Sequence, residues 1–330
     1  MDKRAFRADI LLLLTAGIWG FGFVAQASGM EYVGPFTYNG IRFILGGVSL
    51  LPLIFFRKAK GKLQTPPGTG RGKQLAFTAA AGSVLFIAVA FQQLGLMFTT
   101  AGNAGFITGF YIVLTPVFGI FLGKKTRLPT WAGMAIALAG LYFISMPGDV
   151  SAINRGDIIT LVSAVFWAGH ILLVDHLVQK IDPLILSSGQ FAFCALFASI
   201  AAVVIEPFVK SWAFFMAPDN LQVWKSFAEL LAGPGTPEIL AGAAIPILYG
   251  GIASVGIAYT LQVVAQKDAP PAHATIILCL EGGFAALGGF LLRKEEIRPL
   301  TLLGFAFMLC AMLITQWDVL FAKKPLQNPN

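Results

Sequence analysis

The chain has 330 residues, 57% apolar and only 12% charged, with a formal net charge of +7. Soluble domains carry about 25% Asp, Glu, Lys and Arg, so this low charge and a mean hydropathy of +0.77 exclude a soluble enzyme, a DNA-binding domain and a disordered chain. An integral membrane protein remains; its positive residues sit in short clusters between apolar runs, as orienting charges do, and no nucleic-acid partner is expected. Cys194, Cys279 and Cys310 all lie in apolar runs without a CxxC, and there are three histidines, so neither a disulfide framework nor a metal or other cofactor is expected.

A spanning helix needs about 20 mostly apolar residues. Ten such runs follow one another, at roughly 9–28, 35–56, 75–98, 100–122, 130–146, 157–176, 184–205, 240–263, 270–292 and 299–317. The expected fold is an all-α integral membrane protein of ten transmembrane helices. With the N-terminus inside, the inner connections hold 16 Lys and Arg, in clusters such as Lys3–Arg7, Arg57–Lys73 and Lys124–Arg127. The outer connections hold 6, from Arg155 to Arg298, with the Arg293–Arg298 connection offset by Glu295 and Glu296. That bias predicts a multi-pass protein of the plasma (bacterial inner) membrane with both termini cytoplasmic. The first run resembles a signal peptide ending at Ala25-Gln26-Ala27, but it has a counterpart later in the chain and is expected to stay.

That counterpart lies 148 residues on. Asp9-Ile10 falls on Asp157-Ile158, Trp19 on Trp167, Pro35 on Pro183, Arg42 on Gln190 and Phe43 on Phe191. Later the offset drifts, with Gln93 on Gln262, and in the fourth span of each half the register is ambiguous: Glu281 falls on Thr115 or Ile112. Self-similarity of this kind reflects architecture. The repeats are 1–148 and 149–330, each of five spans. Five is odd, so the second repeat enters the membrane from the opposite side, the arrangement of secondary transporters with a midplane site.

Polar groups in spans are expensive and tend to mark pathways. In span one, Thr15, Trp19, Gly22 and Gln26 share a face; in span six, Ser163, Trp167 and His170 do so. Trp19, Trp167, Tyr111, Tyr259, Gln93 and Gln262 are expected to line a midplane pocket between the halves. His170 replaces Gly22 of the other half, and its imidazole, which titrates near neutrality, suits a proton relay. Glu281, the carboxylate deep in a span, must be protonated, paired or wet; Arg42 or His170 is the expected cation, with His273 on its face. Arg42 either snorkels outward or holds a substrate carboxylate bidentately. Asn103 stands at the entrance of span four. Pro116 and Gly282-Gly283 are expected to bend their spans, and spans five and ten to be peripheral. The aromatic-rich stretch 206–238, on the outer face, either lies in the membrane interface or caps the vestibule.

Several stretches carry a family resemblance: Gly17-Ile18-Trp19-Gly20, Pro35 with Arg42-Phe43, Thr99-Thr100-Ala101-Gly102-Asn103-Ala104-Gly105-Phe106, Thr115-Pro116-Val117-Phe118, and Leu280-Glu281-Gly282-Gly283-Phe284-Ala285-Ala286. Over nearly its whole length the chain resembles the drug/metabolite transporter superfamily, of the ten-span type with two EamA domains. It departs in Lys124-Lys125, where that family often has Gly-Glu, and in Gly282, where a proline is usual. The resemblance implies transport without identifying the cargo. The expected function is a secondary transporter, exporter or permease, of small organic metabolites: an aromatic-lined cavity with few charges suits amino acids, nucleoside-like metabolites or amphipathic amines, with protons as a candidate coupling ion and lipid as the surround. The oligomeric state is left open. An intramembrane lipid-modifying enzyme is the alternative, but the basic inner connections lack the carboxylate clusters it would need. No GxxxxGK[ST] loop points to primary active transport.

Overall fold

The computed structural model describes residues 3–63, 69–126, 128–145, 155–208, 237–294 and 299–315. Among them, eight rods are long and apolar enough to cross a membrane. The first three are α1 (Lys3–Gly29), α2 (Pro35–Ala59) and α3 (Arg71–Leu96). The fourth is broken into α4 (Ala101–Thr108) and α5 (Tyr111–Phe121). After α6 (Leu128–Ser145) come α7 (Arg155–Leu177) and α8 (Pro183–Val204). The next rod runs through α9 (Pro237–Leu248), a π-helical segment (Tyr249–Tyr259) and α10 (Thr260–Ala265). The eighth is broken into α11 (Pro271–Leu278) and α12 (Leu280–Arg293). α6 and the last helix, α13 (Pro299–Thr315), have shorter apolar stretches.

Apolar side chains left outside, such as Ile44, Val48, Leu51 and Phe55 on α2, face outward as a lipid-exposed surface requires. Helices approach closely where side chains are small, since lipid offers no hydrophobic drive for association. A Cβ added to Gly46 of α2 would lie 2.2 Å from Val255 Cγ1 of the π-helical segment, and one on Gly140 of α6 would lie 2.7 Å from the Gly304 carbonyl of α13. α6 and α13 pack chiefly on each other, at the periphery.

The packing is unchanged when the first half is exchanged for the second. α3 lies on α7 as α10 and the π-helical segment lie on α1, and α3 on α8 as that segment lies on α2. α1 lies on α12 as α7 lies on α4 and α5, while α2 with α8, α4 with α12 and α6 with α13 map onto themselves.

Local starts obey the same pairing, with one difference. α2 and α8 both open on proline, which suits a first helical turn. Asp182 caps α8, its carboxylate accepting from Leu184 N at 2.9 Å. The position 148 residues earlier is Gly34, which has no side chain. Glu206, beyond α8, supplies the carboxylate: Oε2 accepts from Phe36 N and Thr37 N at 2.9 Å each, and Oε1 from Thr37 Oγ1 at 3.0 Å.

The breaks fall before the residues expected to bend these spans, nearly two turns before Pro116 and about one turn before Gly282. In the first half they lie at Gly109-Phe110, where Phe110 N bonds Ile107 O and Val113 N bonds Phe110 O in tight turns. α5 continues through Pro116. In the second half the break is at Cys279, and Gly282 serves another purpose: Gly105 of α4 packs against its Cα. The aromatics expected to lie in the membrane interface or to cap the vestibule (Trp212, Phe214, Phe215, Trp224 and Phe227) lie outside the described residues, as do Glu295, Glu296 and Arg298.

Candidate functional site

A narrow cavity of about 20 Å³ lies among the described helices, walled by both halves. Its apolar side is aromatic. Trp19 of α1 and Trp167 of α7 lie 6.1 Å apart, ring centre to ring centre. Tyr259 sits against both, 4.6 Å from Trp19 and stacked 5.8 Å from Trp167. Phe23 and Ile171 complete the apolar lining.

The π-helical segment explains how α1 presents these groups. Its wider turns free backbone carbonyls, and α1 side chains use them: Trp19 Nε1 donates to Ser254 O at 3.2 Å and Thr15 Oγ1 to Ala258 O at 3.2 Å. In return Tyr249 Oη donates to Ile18 O at 2.8 Å. Trp167, the repeat mate of Trp19, has no such partner for its Nε1.

The polar side of the cavity is formed where the two broken rods cross. Tyr111 and Glu281 occupy the same place in their rods, counted from the helix starts at Ala101 and Pro271. Tyr111 Oη donates to Glu281 Oε1 at 2.8 Å. Tyr111 is thus the structural counterpart of Glu281, where the sequence offsets point to Thr115 or Ile112. α1 reaches this crossing because residue 20 is glycine: a Cβ there would lie 2.7 Å from the Glu281 carbonyl and 2.2 Å from Phe284 Cβ. The expected cation beside Glu281 is replaced by this phenol. His273 instead lies 2.7 Å from Asp9 Oδ1, and His170 lies 3.0 Å from Gln190 Oε1.

Arg42 also lines the cavity, 1% exposed, so it does not snorkel to the surface. Its guanidinium carbon lies 5.5 Å from the Tyr38 ring centre and 5.2 Å from that of Phe43. Its Nε and Nη2 have no hydrogen-bond partner.

Of the residues expected at the site, Trp19, Gln26, Arg42, Tyr111, Trp167, Tyr259 and Glu281 meet at this cavity. His170 is fully buried edge-on behind Trp167, off the cavity wall. Gln93 is buried with its amide unpartnered, and it is Gln92 that faces inward, donating to Thr108 Oγ1 at 3.2 Å. Gln262 is turned to Gln266, whose amide donates to Ile171 O at 3.0 Å. Asn103 lies in the first turn of α4, its backbone N–H held by Thr100 Oγ1. Ser254 and Thr108 also line the cavity; Thr108 lies about one turn before Tyr111 on the fourth span, whereas Ser254 and Gln92 carry no period or repeat pairing that would single them out.

A second, wider opening lies at the end bearing Lys124, Lys125 and Lys267. Thr115, Leu172 and Gln266 line its inner end, one turn or less from the cavity residues Tyr111 and Ile171. Lys124 is ion-paired with Asp175 at its rim, which gives the departure at Lys124-Lys125 a structural use.

Comparison with known proteins agrees with this arrangement. The EamA-like transporter family model matches twice, over residues 6–146 and 154–317. An uncharacterized transporter of Archaeoglobus fulgidus is 27% identical over 319 residues, covering 96% of this chain and 88% of that one. The uncharacterized inner membrane transporter YedA of Escherichia coli (strain K12) is 26% identical over 322 residues, covering 94% and 92%. A solved crystal structure with 17% identity superposes with a TM-score of 0.65 over 92% of this chain and 94% of that one, a likeness of fold. Two family matches spanning nearly all of the sequence, on a helical bundle whose halves pack alike around one cavity, make this chain a member of the EamA-like transporter family.

Proposed function

We propose that the protein is a secondary transporter that carries small organic solutes by opening the central cavity alternately to either side of the membrane. In this reading the two repeats, 1–148 and 149–330, are five-span units of opposite topology, with α6 and α13 as fifth and tenth spans. The observation that carries it is the composition of the cavity, in which central groups of one half face their mates or equivalents from the other: Trp19 with Trp167 and Tyr111 with Glu281. Binding sites at the interface of such repeats suit rocking of one half against the other. The opening beside Lys124 and Lys267 corresponds to the cytoplasmic vestibule, since the basic clusters gather at that end. The lipid-modifying enzyme is disfavoured, because relatives matched over 94% and more of the chain are named transporters.

The test is flux in proteoliposomes containing the purified protein, screened with labelled organic solutes with and without an imposed pH gradient. For a carried solute, Ser254→Phe, which fills the cavity beside Gly22, is expected to abolish flux. Ser254→Ala, which keeps the carbonyl that Trp19 uses, is expected to retain it. Wild-type flux through Ser254→Phe, or no flux of any solute class in the panel, contradicts the reading.

A further inference from the structure

We infer that Arg42 is the docking point for a carboxylate on the solute, which makes small organic monocarboxylates the substrate class of this cavity; the inference rests on the transport reading above. The two unpartnered donors of Arg42, Nε and Nη2, form one edge of the guanidinium. That edge presents two parallel N–H groups, the fork that matches the two oxygens of a carboxylate. The side chain is buried and lines the cavity. Among the described residues no carboxylate stands within ion-pair distance of it; its charge rests on the ring faces of Tyr38 and Phe43.

A buried guanidinium held this way is costly to keep, and stacking on rings offsets only part of the loss of water. A ligand that supplies two charge-assisted hydrogen bonds offsets the rest. The fold does not demand a cation here, because the position 148 residues on is Gln190, neutral and engaged with His170. The other walls set the remainder of the ligand. Trp19, Trp167, Tyr259 and Phe23 offer an aromatic surface for an apolar body, and the cavity, about 20 Å³ in this narrow form, widens to admit it when the halves part. The aromatic walls offer no partner for a second charged group.

The experiment is binding to the purified protein in detergent, read by tryptophan fluorescence, with carboxylates paired to amides of the same skeleton: 3-phenylpropanoate and 3-phenylpropanamide, hexanoate and hexanamide, and the dicarboxylate adipate. The carboxylates are expected to bind about 10- to 100-fold more tightly than their amides, the worth of a charge-assisted pair. Adipate is expected to bind more weakly than hexanoate. Arg42→Gln is expected to erase the carboxylate preference, and Arg42→Lys to restore part of it, since a point charge lacks the fork. Equal binding of carboxylate and amide by the wild-type protein, no binding of any carboxylate, or a preference that survives Arg42→Gln overturns the inference. The wild-type pairs decide it even where a variant fails to fold. Flux of solutes without a carboxylate preference overturns the docking role and leaves transport standing; carboxylate binding with no flux overturns transport and leaves the docking role.

Discussion

Glu281 and Tyr111 meet across the two halves at the one point where a titratable carboxyl touches the cavity. Even the milder insertion scales place a central acidic side chain about 2.5–3.5 kcal/mol uphill, so its presence asks for a partner or a role. Tyr111 supplies the partner. A carboxyl whose charge changes during the cycle links proton or solute binding to rocking, provided the two open states differ in affinity for it. Glu281→Gln keeps an acceptor for Tyr111 and removes the charge. We expect normal insertion and yield, flux reduced at least about tenfold, the scale of one charged hydrogen bond, and a flattened dependence on pH. Flux like wild type across about pH 5 to 8 would make the carboxyl structural. Repeat pairing made Trp19 and Trp167 readable from the sequence, because two large indoles at one offset are not an accident of apolar composition. The choice of Gln92 over Gln93 was not readable. Adjacent residues differ by about 100° around a helix, and with polar side chains at both, only the packing of α3 on its neighbours decides which faces inward.

Among the elements, the ends of the spans were legible to within a few residues and their interruptions were not. Length and apolarity fix a span, since a lipid environment leaves the backbone little besides a helix. The breaks at Gly109-Phe110 and Cys279, and the π-helical turns of Tyr249–Tyr259, depend on contacts distant in sequence: the carbonyls of that segment accept from Thr15 and Trp19, more than two hundred residues away. The cap of α2 is another long-range supply. Glu206 stands in for the side chain that Gly34 lacks, so Glu206→Ala is expected to cost about 1 kcal/mol or somewhat more, the value of a helix cap, read as a lower unfolding temperature in detergent. Gly34→Ser alone is expected to destabilise, because its Cβ would lie 2.0 Å from Glu206 Oε1. In the Glu206→Ala background the same serine gains room and a hydroxyl able to cap. Serine that destabilises both backgrounds equally would refute the substitution of one cap by the other.

At the scale of the molecule, the exchange-invariant packing and the two family matches agree with an internal repeat, which the 148-residue offset made visible before any coordinates. The basic clusters carry a prediction of orientation. Reporter fusions at residue 330 and within 206–238 are expected to report opposite sides of the membrane, and the same side for both would sink the ten-span topology. The cargo was not legible at this scale, because the repeat specifies a path and leaves its chemistry to a few cavity side chains.

The central claim is that one cavity opens to two sides in turn. It is tested most directly by impermeant thiol labelling of single cysteines at Gln26 and at Thr115, in a background with Cys194, Cys279 and Cys310 replaced, using right-side-out and inverted vesicles. Thr115 lines the opening beside Lys124, and Gln26 lies on the cavity about two turns beyond Trp19 along α1. Adding a transported solute is expected to change the two reactivities in opposite directions, the cysteine at Thr115 from the cytoplasmic side and the one at Gln26 from the outside. Reactivities that rise and fall together, or a cysteine at Gln26 that never becomes reachable from outside, would contradict alternating access.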